Sequence, residues 1–175
     1  MAAAGDGEPV IRRGAWTTYH PRVAEMAPMG AISAITIHHS GFPEGFRATG
    51  TEDAAENLRF ILAFHTAPPP DGRGWADIGY HFAIDPAGRM WELRSLQYQG
   101  AHVKNHNAGN IGVVCLGNFD LHPLPTEQWA ALERLIKGGE RYLGRVRIMG
   151  HRDIADEATS CPGEHLYHAL AAIQR

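Results

Sequence analysis

The chain has 175 residues, enough for one domain to bury a core without disulfide staples. Apolar residues make up 44% and charged residues 20%, an ordinary globular balance, and the net charge of -3 carries no basic stripe of the kind nucleic acid selects. No stretch approaches the ~18 apolar residues of a membrane span, and the start, Met1-Ala-Ala-Ala-Gly-Asp6, lacks the basic and apolar blocks of a secretion signal.

Residues 1–9 read as a flexible segment and residues 10–175 as one domain without internal repeats. The first element is a strand at Ala34–Ser40. Its alternation puts Ile35, Ile37 and His39 on an apolar face and Ala34, Thr36 and His38 on a small, polar one. Thr51–Thr66 is a predicted helix, with Leu58, Ile61, Leu62 and His65 as its stripe and Glu52, Asp53 and Glu56 near its positive end. Ala67-Pro-Pro-Pro-Asp-Gly-Arg-Gly74 breaks regular structure.

Ile78–Asp85 and Arg89–Leu93 flank Pro86-Ala-Gly88 as a hairpin. Asn110–Gly117 is nearly all apolar, the mark of a central strand covered on both faces. Pro125–Leu143 is a second helix, with Thr126 as N-cap and Trp129, Leu132, Leu135 and Ile136 as its stripe. Arg145–Gly150 is a strand with Val146 and Ile148 on one face and Met149 and His151 on the other. Glu164–Gln174 is the last helix. The fold class is therefore α/β: a central mixed sheet of about five strands flanked by about three helices.

Eleven histidines are the compositional hint of metal chemistry. His38 and His151 each end a strand on the polar face, and Cys161 follows in a turn stiffened by Pro162 and Gly163. Two imidazoles and a thiolate suit Zn²⁺ and leave one tetrahedral position open. His39 is a rival to His38, and the small, polar face favours His38. Cys115, in the central strand, reads as a packed thiol, and Cys161 as an exposed one; no disulfide joins them, because it would remove a ligand.

Five ordered blocks make the chain recognisable. They are Ile-Thr-Ile-His-His-Ser at 35–40, Trp-Ala-Asp-Ile-Gly-Tyr-His-Phe at 75–82, Gly-Ala-His at 100–102, Asn-Ile-Gly-Val-Val-Cys-Leu-Gly-Asn-Phe at 110–119, and Gly-His-Arg-Asp at 150–153 followed by Thr-Ser-Cys-Pro-Gly at 159–163. From about Ile11 to Tyr167 the chain resembles the peptidoglycan recognition proteins and the related zinc amidases, including phage lysozymes of the amidase type.

The resemblance implies an N-acetylmuramoyl-L-alanine amidase: one Zn²⁺ on His38, His151 and Cys161, with water attacking the amide between N-acetylmuramic acid and L-alanine. It implies catalytic roles for Tyr80, beside the water, and for Thr159, at the developing oxyanion. Strand alternation alone gives Tyr80 only the status of a core aromatic. His102 and Asn107 match groove-lining positions, and Arg94 is a candidate for a peptide carboxylate.

A related branch carries a glutamate base in the central strand where this chain has Val114. A Gly-Trp pair that marks diaminopimelate preference is replaced by Ser95-Leu96. The remaining histidines (His20, His65, His81, His106, His122, His165 and His168) are expected to be structural or on the surface. The implied partner is peptidoglycan, with the protein a monomer acting on the cell wall, periplasmic or extracellular; the lack of a secretion signal at its start adds the expectation of a cytoplasmic stage before release or export, as for a phage or prophage lysin or an effector. The alternative is a receptor on the same fold; such members typically carry serine where Cys161 stands.

Overall fold

The computed structural model describes residues 9–41 and 50–173. The flexible lead expected at residues 1–9 lies, except for its last residue, outside them, as does Gln174 at the end of the expected last helix. The regular elements are β1 (Ala34–His39), α1 (Thr51–Thr66), β2 (Phe82–Ile84), β3 (Met90–Glu92), β4 (Asn110–Cys115), α2 (Thr126–Leu143), β5 (Arg147–Gly150) and α3 (Glu164–Leu170). Short 3₁₀ turns precede β1, and another, His151–Asp153, follows β5.

The sheet runs β3-β2-β4-β1-β5, with β1, β2, β4 and β5 parallel and β3 antiparallel to β2. The two expected faces of β1 are both present. Ile35 and Ile37 meet Ala131, Leu132 and Ile136 of α2 and Leu166 and Leu170 of α3 in one core. The opposite side of the sheet, through Ala83, Val114 and Leu116, packs on Ala54, Ala55, Leu58, Ile61 and Leu62 of α1, with Trp16, Trp91 and Leu93. The α1 stripe is the expected one widened by two alanines, and its end residue His65 is buried with it.

Two local expectations change. Thr126 is the first helical residue of α2 and not its cap; Pro125, extended at φ -58° and ψ 145°, takes the cap position without a side-chain bond. On the same helix Gln128 is buried among apolar residues because its Nε2 donates to the carbonyls of Ile84 and Leu116. Ile78–His81 does not continue β2. The Gly79 N–H turns to the side chain of His65, so the run bends there, although His81 N–H still reaches the Gly112 carbonyl. The hairpin turn itself forms as expected, closed by Gly88 N–H on the Asp85 carbonyl with Gly88 at φ +80°.

Parallel register decides what stands beside what. Ala34, Thr36 and His38 lie opposite Asn110, Gly112 and Val114 of β4. Thr36 and Ile37 lie opposite Met149 and Gly150 of β5. The C-terminal ends of β1 and β5 therefore deliver His38 and His151 to one edge of the sheet, where open α/β sheets commonly bind ligands.

Candidate metal centre

His38, His151 and Cys161 converge at that edge, their ligating atoms all within 4.8 Å of one another. They are the only such group of three or more His, Cys, Asp or Glu among the described residues. His38 Nδ1 lies 3.7 Å from Cys161 Sγ. Two ligands of a tetrahedral zinc, one imidazole and one thiolate, sit about 3.6 Å apart from their bond lengths. The donor set and this spacing fit Zn²⁺. His39, the rival, faces the other side: its Nδ1 accepts from Phe119 N–H at 3.3 Å and its ring lies 6.2 Å from the Phe119 ring.

The turn that carries Cys161 is held from two directions. Arg152 N–H donates to the Cys161 carbonyl at 3.0 Å, and the Arg152 guanidinium reaches Ser160 O and Glu164 while lying 4.4 Å over the Tyr167 ring. From the other side, Asp120 accepts from Ser160 Oγ at 2.8 Å and from Glu164 N–H at 3.1 Å. Gly163, at φ +90°, lets the chain pass against Phe119 and Asp120, where a Cβ would come within 2.5 Å of backbone. Cys161 is half-buried and not the exposed thiol read from its polar neighbours, and both cysteines are free.

Burial sets the titrations of the site. Burial, then the neighbouring His102 and His151, hold His38 well below the usual histidine range. Burial also lowers His151 and pushes the metal-free Cys161 thiol up to about 12. Tyr80 is pushed up, by burial first and by Cys161 second, so its phenol stays protonated.

The remaining expected residues fall into two groups. Tyr80 stands at the centre, its ring 5.1 Å from His38 and 5.7 Å from His65. Thr159 lies in the Cys161 turn, where its Oγ1 accepts from Cys161 N–H at 3.2 Å. Val114, where a carboxylate base was the alternative, is fully buried beside His38.

Arg94, Asn107 and His102 each make hydrogen bonds within the fold. Arg94 is 5% exposed and each of its three nitrogens donates to a backbone carbonyl, of Ile78, Gln99 and Asp77. That arrangement, with Arg94 N–H on the Tyr80 carbonyl at 3.1 Å, ties Arg94 to the segment that carries Tyr80. Asn107 Oδ1 accepts from the N–H groups of His102 and Val103, both at 3.0 Å. His102 is buried behind His38, 3.0 Å from its Nε2.

Two histidines expected to be structural or on the surface also border the centre. His65 Nδ1 accepts from Gly79 N–H at 3.0 Å, and its ring lies 4.6 Å from Trp75. His81 Nδ1 accepts from Gly112 N–H at 2.9 Å, and its ring lies 5.9 Å edge-on to His102. Burial lowers both to about 4 and His102 to about 3. The one signal in the sequence was the place of His65 at the end of the α1 apolar stripe; nothing local marked His81.

Comparison with known proteins gives the family and the fold. The family model described as N-acetylmuramoyl-L-alanine amidase matches residues 28–164. Peptidoglycan-recognition protein LB of Drosophila melanogaster is 30% identical over 98% of this chain and 73% of its own length. The N-acetylmuramoyl-L-alanine amidase of Homo sapiens is 33% identical over 86% of this chain and 25% of its own length. The solved structure of Drosophila peptidoglycan recognition protein LB superposes with a TM-score of 0.81 at 28% identity, covering 93% of this chain and 92% of that one. A point variant of that protein, solved in complex with tracheal cytotoxin, superposes equally well, with a TM-score of 0.81. On the ordered motifs, the sheet order and these likenesses together, the chain belongs to the N-acetylmuramoyl-L-alanine amidase family and has the fold of the peptidoglycan recognition proteins.

Proposed function

We propose that this chain is a zinc-dependent N-acetylmuramoyl-L-alanine amidase that cleaves the amide between N-acetylmuramic acid and L-alanine of peptidoglycan. The observation that carries the reading is the triad His38, His151 and Cys161 at ligand spacing with Tyr80 5.1 Å from the buried imidazole. The three residues would hold one Zn²⁺. When bound, the ion would polarise the amide carbonyl and bring the pKa of water to about 7.

The chain's own groups do the rest. The protonated phenol of Tyr80 donates a hydrogen bond at the reacting centre, where its partly buried setting strengthens the bond. The Thr159 hydroxyl accepts from Cys161 N–H, which leaves its own proton to donate towards the developing oxyanion. With Val114 beside His38, no carboxylate base stands at that position of β4, so proton handling falls to Tyr80 and the water. The substrate places the enzyme at the cell wall, as a monomer. No helix among the described residues is long and apolar enough to cross a membrane.

The test is direct. Purified protein is incubated with peptidoglycan, with and without chelator, and stem peptides bearing a free N-terminal alanine are sought. They are expected only from the metal-loaded protein, and Cys161→Ser should keep its circular dichroism and lose both zinc and turnover. Binding of muramyl peptide without any release would replace the amidase by a receptor. Full turnover by Cys161→Ser would remove Cys161 from the ligand set.

A further inference from the structure

His102 completes a chain of directed hydrogen bonds that ends at the metal centre. Its Nε2 lies 3.1 Å from the Asn110 carbonyl oxygen, and its Nδ1 lies 3.0 Å from His38 Nε2. A carbonyl oxygen only accepts, so the His102 proton sits on Nε2. The ring is buried against the His81 and His38 rings, a setting that favours its neutral form, so Nδ1 carries a lone pair. His38 Nε2 is then the donor, and His38 Nδ1 is left unprotonated. That nitrogen is the one 3.7 Å from Cys161 Sγ. The opposite tautomers would set lone pair against lone pair at Asn110.

The relay is built into the fold. Asn110 is held at both ends of its amide, accepting from Thr36 Oγ1 at 2.9 Å and donating to the His106 carbonyl at 2.9 Å. The His102 ring lies flat against bare backbone: a Cβ on Gly112 would meet its Cδ2 at 2.5 Å, and one on Gly100 would meet the same atom at 2.3 Å. His81 takes the Gly112 N–H, and Asn107 takes the N–H of His102 itself.

We propose that His102 is a positioning residue: its Nδ1 accepts the Nε2 proton of His38 and so fixes His38 in the tautomer whose Nδ1 faces His151 and Cys161. Metal-bound histidines commonly give their second N–H to a carboxylate, a carbonyl or water. Here a second imidazole stands in that place and hands the polarity on to a strand carbonyl. The consequence for metal affinity rests on the zinc reading above; the tautomer does not.

The experiment measures the two separately. Long-range proton–nitrogen correlation spectra of the zinc-free full chain report which imidazole nitrogen bears each proton. Nε2–H is expected for both His38 and His102. His102→Leu removes the acceptor; His38 should lose its single tautomer, and the zinc dissociation constant, read by chelator competition, should rise about 10–100-fold. His102→Asn restores an acceptor oxygen near the Nδ1 position and should recover most of that affinity.

A proton on Nδ1 of His38 in the wild-type chain overturns the proposal, as does a folded His102→Leu with tautomer and zinc affinity unchanged. If His102→Leu does not fold, the wild-type spectrum decides, with the recovery by His102→Asn beside it. If the expected tautomers are found in a protein that binds no zinc, the relay stands and the amidase reading falls.

Discussion

Two glycine-to-alanine changes in regular structure should shift stability in opposite directions. Gly138 lies inside α2, and a Cβ there meets nothing within 4 Å. Its replacement by alanine removes backbone freedom from the unfolded chain and should stabilise by about 0.5–1 kcal/mol. Gly112 lies inside β4, hydrogen-bonded between β1 and β2, where the backbone cannot retreat. There the new methyl would sit 2.5 Å from His102 Cδ2 and 2.6 Å from its Cγ. Both are ring atoms, not the far end of a flexible chain, so the ring must tilt or the strand must bow.

Overpacking of this kind costs about 1–3 kcal/mol, more than the backbone gain. For a domain of this size each kcal/mol moves the melting temperature by about 2–4 °C. Gly138→Ala should therefore melt a few degrees higher than wild type and Gly112→Ala several degrees lower, measured by calorimetry on the metal-free proteins. Chelator competition should also find weaker zinc binding in Gly112→Ala and unchanged binding in Gly138→Ala. A Gly112→Ala protein that matches wild type in both melting and zinc affinity would falsify the placement of His102 against β4.

Three further changes probe the site and its surroundings. Tyr80→Phe should keep zinc affinity and lower kcat about 10²–10³-fold, since it removes one hydrogen-bond donor at the reacting centre; an unaltered kcat would return Tyr80 to the core. Arg94→Met should cost about 3 kcal/mol in urea unfolding, because two buried carbonyls and one part-buried one lose their donor, while KM of the folded fraction stays unchanged; a large rise in KM would instead support a substrate contact. His65, His81 and His102, lowered by burial to about 4, 4 and 3, stay neutral in the fold below the pH at which their unfolded counterparts protonate. The unfolded state then binds more protons, so stability is full above about pH 6.5 and falls as pH drops towards 4, by about 1.4 kcal/mol per pH unit for each such imidazole. Urea midpoints of the chelated protein that stay level from pH 7 to pH 5 would refute this account.

Much was legible along the chain because it depended on local pattern. The α1 stripe, the two faces of β1 and the covered strand β4 each follow from the period of apolar residues. His38 and His151 could be placed on one face by counting along two strands, and the ordered motifs named the family. Element ends were less legible. Pro125 outcompetes Thr126 for the α2 cap by its backbone alone, and the end of β2 at Phe82 depends on a side chain from α1 that captures Gly79 N–H.

What only the tertiary structure decided is the division of labour among residues of the same type. A histidine is ligand, buried acceptor or exposed side chain according to what its two nitrogens meet, and those partners come from far along the chain. His102 meets His38 across 64 residues, and His81 meets the Gly112 amide across 31. Arg94 has the charge of a substrate clamp, and the fold surrounds it with carbonyls. A buried guanidinium must satisfy its donors there, and so it became part of the frame that holds Tyr80. Sequence assigned the chemistry available to this protein; the packing of non-local neighbours assigned each group its proton and its direction.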